Sequence, residues 1–132
     1  MNRKFKILIA DRNRHVRQFL RREFLSEGYQ VILAGEEGEL AQLLSGEDPP
    51  DLLILDPDIP SCLTKPDLIR WLHLQYPALP MVIYTFIYCD INYPDLPGVA
   101  SCLEKGENID LLKKVVADIL KKNYSSGHSV KL

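Results

Sequence analysis

Five short apolar segments recur along the chain, each four to six residues long. Segments of this length with few polar positions are typical of strands buried in a parallel sheet. Between them, the apolar positions mostly follow helical spacing. Because parallel strands need long crossover connections, this alternation predicts an α/β fold, a doubly wound (βα)5 three-layer sandwich. The predicted strands are Phe5–Ala10, Tyr29–Ala34, Leu52–Leu55, Met81–Tyr84 and Val99–Leu103.

Helical spacing is clearest before the second strand and after the fifth. The first predicted helix, Asn13 to Ser26, places apolar residues on one face and arginines on the other, and Gly28 follows where a helix C-terminal glycine is expected. Pro66 suits the first turn of a helix after the third strand. The apolar stripe of the last helix consists of Ile109, Leu112, Val116, Ile119 and Leu120.

The connection between the fourth and fifth strands does not follow this pattern. It contains Pro94 and Pro97, and each proline inside a helix costs about 3 kcal/mol. The sequence therefore predicts an irregular or shortened fourth helix. Tyr84, Tyr88 and Tyr93 surround this connection. We expect them to cover the core where the helix is short, although a partner-binding patch is also open.

Composition limits the class of protein. The chain has 132 residues, a net charge of −2 and no apolar run of about 20 residues, so neither a nucleic-acid partner nor a membrane is predicted. We expect one domain over residues 1–124, a flexible polar tail over 125–132, and a cytoplasmic protein that is a monomer or a weak homodimer.

Four chemically capable side chains stand at the predicted strand ends. Asp11 follows the first strand, Asp56 the third, Thr85 the fourth and Lys105 the fifth. In a doubly wound sheet these ends lie near one crevice. Carboxylates can hold a hard cation, Asp can be a nucleophile, and Thr and Lys can donate to transferred oxygens. The set predicts a phosphoryl-transfer site. For Lys105 we favour an ion pair with Asp56. Asp11 as a helix cap, Thr85 as an ordinary strand residue and a solvated Lys105 remain open.

The order of Asp11, Asp56 followed by Pro60, Thr85 and Lys105 resembles a response regulator receiver domain over roughly residues 5 to 122. The resemblance implies a flavodoxin-like fold of the chemotaxis-regulator type that is not an enzyme beyond self-phosphorylation and autodephosphorylation. It also implies that Asp56 is the phosphoacceptor, Asp11 an acidic Mg²⁺ ligand, Thr85 the switch hydroxyl and Lys105 the phosphate-binding lysine. The implied partners are a histidine kinase or phosphotransfer protein and a downstream effector protein.

One departure from that family affects the metal. The family has two adjacent acids after the first strand, and here the second is Arg12. Two unit charges 4 Å apart interact by about 4 kcal/mol at an effective dielectric of 20, so an inward Arg12 disfavours Mg²⁺. We therefore predict weak Mg²⁺ binding by Asp11, Asp56 and Asp58. Arg12 either projects to solvent or occupies the metal's place and pairs with Asp56 or Asp58.

Three further departures from that family concern residues involved in phosphorylation and in the response to it. Phe86 stands where the family has a small residue and could cover Asp56, Cys102 replaces an aromatic side chain that changes rotamer, and Lys105 precedes Gly106 rather than proline. We therefore predict an atypical, stand-alone receiver that acts as a protein-interaction module with weak or absent phosphorylation of Asp56. A conventional Mg²⁺-dependent phosphoacceptor is the alternative. A flavodoxin-like small-ligand binder ranks lower, because the loop after the first strand lacks a phosphate-binding signature.

Overall fold

The sheet has five parallel strands in the order β2-β1-β3-β4-β5. The coordinates are a computed structural model that describes residues 4–86, 91–106 and 109–130, with side chains described up to Tyr124. The strands are β1 Lys6–Ala10, β2 Gln30–Ala34, β3 Leu52–Leu55, β4 Met81–Thr85 and β5 Val99–Glu104. The predicted strand positions and the doubly wound parallel sheet are therefore confirmed.

Single residues with capping or turn preferences mark the ends of the helices. The Asn13 side chain caps the first helix by accepting hydrogen bonds from the backbone of His15 and Val16, and Gly28 has a φ of +94° just beyond its end. Pro66 lies in the first turn of the third helix, as predicted. The helices are α1 Arg14–Ser26, α2 Glu37–Leu44, α3 Lys65–Gln75 and α4 Ile109–Val130.

Two apolar cores, one on each side of the sheet, hold the three layers together. Alternating residues of each inner strand point to opposite faces, so Ile54 enters one core and Leu55 the other. Helices α1 and α4 cover the first face with Leu20, Phe24, Leu112, Val116 and Leu120. Helices α2 and α3 cover the second with Leu40, Leu44, Leu68, Ile69 and Leu72. Strand β3 is buried along its whole length, which places its carboxyl end at the centre of the sheet.

Residues 91–98 contain a single 3-10 turn, Tyr93–Asp95, where a regular fold of this type has a helix. This agrees with the predicted shortening. Tyr93 is buried in the core between the sheet and α3, so it does cover the core there. Tyr84 packs in the opposite core. Tyr88 lies outside the described residues.

Helix α4 continues to Val130, so its backbone includes most of the segment predicted as a tail. The division at residue 124 remains a prediction. At the end of the domain opposite the strand carboxyl ends, the Tyr124 hydroxyl donates to the carbonyl of Asp51 at 2.8 Å and its ring packs against Phe5. None of the helices in the described part of the chain is both long and apolar enough to cross a lipid bilayer.

Candidate functional site

The carboxyl ends of β1, β3, β4 and β5 bring the predicted residues to one edge of the sheet. Asp11, Asp56, Thr85 and Lys105 are all buried there. The ladder positions them, because Asp56 donates its backbone N–H to Ala10 at 2.8 Å and Lys105 donates to the carbonyl of Thr85 at 2.7 Å. Polar groups buried in this way require partners, and the structure supplies them within the cluster.

The Lys105 ammonium lies between two carboxylates. Its Nζ is 2.9 Å from Asp11 Oδ2 and 3.2 Å from Asp56 Oδ2. The solvated position that the sequence left open for Lys105 is therefore wrong. The structure brings the side chains of Asp11, Asp56 and Lys105 together, while Thr85 joins them through its backbone hydrogen bond to Lys105.

Asp56 has contacts on both carboxylate oxygens. Oδ1 accepts the backbone N–H of Asp58 at 3.0 Å, and Oδ2 accepts that of Arg12 at 3.2 Å. The second oxygen also faces the Lys105 ammonium and, at 3.6 Å, Nε of Arg12. The Asp56 side chain is 0% exposed, so these groups enclose it.

Arg12 pairs with Asp56 and Asp58, as in one of its two predicted placements. Its guanidinium lies 3.6 Å from Asp56 and 3.7 Å from Asp58, and its side chain is 47% exposed. The charge is therefore turned toward the site, while part of the side chain stays in water. Asp58 has a second cation, since Lys65 Nζ lies 2.5 Å from its Oδ1.

Asp11 is held as an internal carboxylate and not as a helix cap, because Asn13 fills the cap position. Asp11 Oδ1 accepts the backbone N–H of Asn13 at 2.8 Å, and Arg17 donates to its backbone carbonyl at 2.7 Å. Burial raises the pKa of the Asp11 carboxyl above its ordinary value of 3.8, and the nearby Asp56 charge adds to the rise. The hydrogen bonds from Asn13 and Lys105 lower the pKa but do not reverse it.

The three carboxylates predicted as Mg²⁺ ligands are surrounded by cations of the chain in this structure. Each of the three carboxylates predicted as ligands already contacts an ammonium or guanidinium group, so three negative charges face three positive ones. Within the described ranges, no group of three or more His, Cys, Asp and Glu side chains is arranged to hold a metal ion. A divalent cation at these carboxylates would compete with the cations of the chain itself. The charged pairs are Lys105 with Asp11 and Asp56, Arg12 with Asp56 and Asp58, and Lys65 with Asp58.

Phe86 and Cys102 alter the edge of this site. The Phe86 ring is 55% exposed, and its centroid lies 5.5 Å from the Lys105 ammonium, so it stands beside that cation in a cation–π contact. Cys102 lines a cavity of about 240 Å³ together with Thr85 and Tyr93. The thiol is smaller than the aromatic side chain of the receiver family at this position.

Sequence reasoning missed Lys65 and the role of Arg17. Lys65 opens α3 and reaches Asp58 across the β3–α3 loop, and a basic residue just before Pro66 was the available signal. The sequence predicts that the arginines of α1 lie on its solvated face, yet Arg17 is half-buried and donates to the backbone carbonyl of Asp11. Its position on the turn of α1 nearest the loop was the only local sign of that contact.

Comparisons with known proteins agree with this geometry at the level of fold. A signal receiver domain from Vibrio parahaemolyticus superposes with a TM-score of 0.83 at 21% identity, covering 96% of this chain and 98% of that one. The signal receiver domain of an HD domain-containing protein from Pseudomonas fluorescens Pf-5 gives 0.81 at 21%, with 97% and 95% covered. A CheY-like response regulator receiver domain protein from Methanospirillum hungatei JF-1 gives 0.80 at 22%, with 94% and 99% covered.

No protein-family model matches the chain, and no curated protein matches it. The structural matches cover nearly the whole length on both sides, so they describe the complete sheet and its helices and not a shared fragment. The chain therefore has the fold of the response regulator receiver domains.

Proposed function

We propose that this chain is an atypical receiver module of two-component phosphorelay signalling, which binds partner proteins through a site whose charges are balanced by its own side chains. Asp56 takes the phosphoacceptor position, and Thr85 and Lys105 are the other functional residues. The observation that supports this proposal is the contact of Arg12 with both Asp56 and Asp58. A guanidinium there supplies positive charge that a metal would otherwise bring.

Access to the nucleophile supports weak or absent phosphorylation. A carboxylate attacks phosphorus through an oxygen lone pair, which must be open to the phosphoryl donor. Oδ1 of Asp56 accepts a backbone hydrogen bond from Asp58, and Oδ2 faces Arg12 and Lys105. Phosphorylation of Asp56 therefore requires the Arg12 side chain to move away, at the cost of its ion pairs.

A conventional Mg²⁺-dependent phosphoacceptor is the second candidate. The buried cluster of Asp11, Asp56 and Lys105 favours it, because a strand-end nucleophile beside an ammonium and a second carboxylate is suited to phosphoryl chemistry. In this candidate Arg12 is a displaceable side chain, which its 47% exposure permits. The two candidates differ in one measurable property, the reactivity of Asp56.

Intact-mass spectrometry after incubation with acetyl phosphate and Mg²⁺ tests the choice. We expect no phosphoryl adduct, or only a trace, on the wild-type chain. Asp56→Asn is the matched control, since it keeps the shape of the side chain and removes the nucleophile. A stoichiometric adduct on the wild type that the control lacks would overturn the proposal and select the conventional phosphoacceptor.

The chain has no enzymatic activity beyond turnover of its own acyl phosphate, and its partners are a histidine kinase, a phosphotransfer protein or a downstream effector in the cytoplasm. Mg²⁺ binds weakly, because it competes with Arg12 and Lys65 for Asp58. The small-ligand binder stays the lower-ranked alternative, and a coloured cofactor that copurifies with the chain would favour it.

A further inference from the structure

We infer that Asp58 is a positioning residue, which controls the reactivity of Asp56 by holding Arg12 against it. The inference rests on the proposed function, in which Asp56 takes the phosphoacceptor position, and it names the residue that regulates this site. Asp58 acts through the Arg12 guanidinium, which lies between the two carboxylates, 3.6 Å from Asp56 and 3.7 Å from Asp58.

The contact of Arg12 with Asp56 is too weak to keep the arginine side chain at the site by itself. Nε of Arg12 lies 3.6 Å from Oδ2 of Asp56, which is longer than a hydrogen bond. The same oxygen already faces the Lys105 ammonium at 3.2 Å. Because the Arg12 side chain is 47% exposed, water screens the attraction, and an ordered arginine also loses rotamer freedom. A second partner is therefore needed.

Asp58 supplies this second contact at the other end of the guanidinium. Nη2 of Arg12 lies 3.7 Å from Oδ2 of Asp58, while Nε faces Asp56. The guanidinium is planar, with its donors in a fixed fork, so two carboxylates at different nitrogens restrict its rotation more than one does. In the part of the chain that the structure describes, Arg12 has no further ion pair.

The position of Asp58 is itself fixed from two sides. Its backbone N–H donates to Oδ1 of Asp56 at 3.0 Å, which keeps residue 58 beside the phosphoacceptor position. Its Oδ1 lies 2.5 Å from Lys65 Nζ, so Oδ2 is left for Arg12. The Asp58 side chain is only 22% exposed, against 47% for Arg12. The carboxylate is thus the more fixed member of this pair.

These contacts form one chain of alternating charge, from the start of α3 to the end of β1. In order, its members are Lys65, Asp58, Arg12, Asp56, Lys105 and Asp11. Of the two cations at Asp56, Lys105 is buried with a 6% exposed side chain, whereas the Arg12 side chain is half exposed. Arg12 is therefore the cation that can leave, and the charge of Asp58 decides how often it does.

Asp58→Asn keeps the shape of the side chain and removes the charge that holds Arg12. The guanidinium should then move away from Asp56 more often, and a phosphoryl donor should reach Oδ2 of Asp56 more easily. A role of Asp58 as a Mg²⁺ ligand has the opposite sign, because loss of a ligand would weaken Mg²⁺ binding and slow the reaction. The direction of the change therefore distinguishes the two roles.

Intact-mass spectrometry of the full chain with acetyl phosphate and Mg²⁺ measures the initial rate of adduct formation. We expect Asp58→Asn to form the phosphoryl adduct at least about threefold faster than the wild type. Asp58→Asn combined with Asp56→Asn should form none, which locates the adduct at Asp56. An unchanged or slower rate, or no adduct on Asp58→Asn, would overturn the inference.

A double-mutant cycle shows whether Asp58 acts through Arg12. Arg12→Leu removes the guanidinium, so in that background Asp58→Asn should change the rate by less than about twofold. Equal acceleration in both backgrounds would show that Asp58 acts directly on the donor or the metal, against the inference. A stoichiometric adduct on the wild type would overturn the proposed function, but this ratio of rates would still test the role of Asp58.

Chemical modification of Arg12 gives a readout that needs no phosphorylation. Phenylglyoxal attacks the neutral guanidine, and a nearby carboxylate stabilises the protonated form, so an arginine held in ion pairs reacts slowly. Peptide mass spectrometry should find Arg12 modified at least about threefold faster in Asp58→Asn than in the wild type. Arg14 is the internal reference, since it is exposed and forms no ion pair within the described residues. An equal ratio of Arg12 to Arg14 modification in both proteins would contradict the inference.

Lys65→Met separates positioning of Arg12 from general loosening of the loop. It breaks the other ion pair of Asp58 but keeps the carboxylate, so neither Arg12 modification nor adduct formation should be faster than in the wild type. Asp58→Glu retains the charge and should behave more like the wild type than like Asp58→Asn. If Lys65→Met accelerated both reactions as much as Asp58→Asn does, the effect would come from the loop and the inference would be wrong.

Discussion

Arg12 contacts the carboxylate of Asp56 through its backbone and its side chain at the same time. Its backbone N–H donates to Oδ2 at 3.2 Å, and its Nε lies 3.6 Å from the same oxygen. Because the Lys105 ammonium also faces that oxygen at 3.2 Å, two cations share one carboxylate oxygen. The carboxylates of the site are thus balanced by cations of the chain itself. The effect of a substitution in the site should follow from this charge balance.

Replacing Arg12 by aspartate should increase Mg²⁺ affinity. The change removes a positive charge near Asp56 and Asp58 and adds a carboxylate, and even after screening of this half-exposed side chain we expect a gain of about tenfold or more. Isothermal titration with Mg²⁺ measures it. Arg14→Asp makes the same change of charge outside the site and should leave the affinity as in the wild type. An unchanged affinity in Arg12→Asp would show that the guanidinium does not oppose the metal.

Lys105→Met should destabilise the fold strongly. The substitution leaves the Asp11 and Asp56 carboxylates buried without their shared ammonium, and removal of one partner from a buried pair costs about 3–5 kcal/mol. The free energy of urea unfolding at neutral pH measures the loss. Lys65→Met removes a cation from the same site at an exposed ion pair and should cost at most about 1 kcal/mol. Similar losses for the two variants would contradict this account.

The pH dependence of unfolding should report the buried carboxyl of Asp11. Burial raises the pKa of Asp11 in the folded chain above 3.8. At pH values between the pKa of the unfolded chain and that of the folded chain, the folded chain therefore binds more protons than the unfolded one. The contribution of Asp11 to the free energy of unfolding therefore falls as the pH rises through this window and is constant above it. Asp11→Asn cannot titrate and should lack this decrease.

Urea unfolding of the wild type and Asp11→Asn at several pH values from 3 to 7 measures the difference. Asp118→Asn, at an exposed pair with Lys114, is the matched control. A wild-type advantage over Asp11→Asn that grows as the pH rises would show that the Asp11 pKa is lowered and not raised.

Gly98→Ala should be more destabilising than Gly28→Ala. Both glycines have a positive φ, +84° and +94°, so both substitutions introduce backbone strain. A Cβ at residue 98 would also lie 2.7 Å from His73 Nδ1 and 2.8 Å from Met81 Cε, whereas a Cβ at residue 28 meets nothing within 4 Å. We expect a further loss of about 1–3 kcal/mol at residue 98. Equal losses in thermal or urea unfolding would show that His73 moves aside without cost.

The fold could be predicted from local patterns because those patterns reflect burial. The run Leu52–Leu55 is apolar at every position, and the structure buries it on both faces in the centre of the sheet. Gly28 and Pro66 mark helix ends through their own backbone preferences, which need no tertiary information. Pro94 and Pro97 in the same way excluded a regular helix before β5.

The site could be predicted in part. The sequence indicated which side chains stand at the strand ends, since parallel strands deliver their carboxyl ends to one edge. It favoured an ion pair of Lys105 with Asp56 but left open whether Arg12 faces solvent. It did not reveal the contact of Lys65 with Asp58. Long cationic side chains can reach several partners, so their choice depends on the packing around them.

The sequence by itself therefore determined the layers, the strands and the set of charged residues at the sheet edge, because these depend on the spacing of apolar positions and on the preferences of single residues. Only the tertiary structure decided that Arg12, Lys65 and Lys105 neutralise the three carboxylates. The physical reason is distance along the chain: the partners Arg12 and Asp56 are far apart in sequence, and only the pairing of β1 with β3 brings them within 3.6 Å.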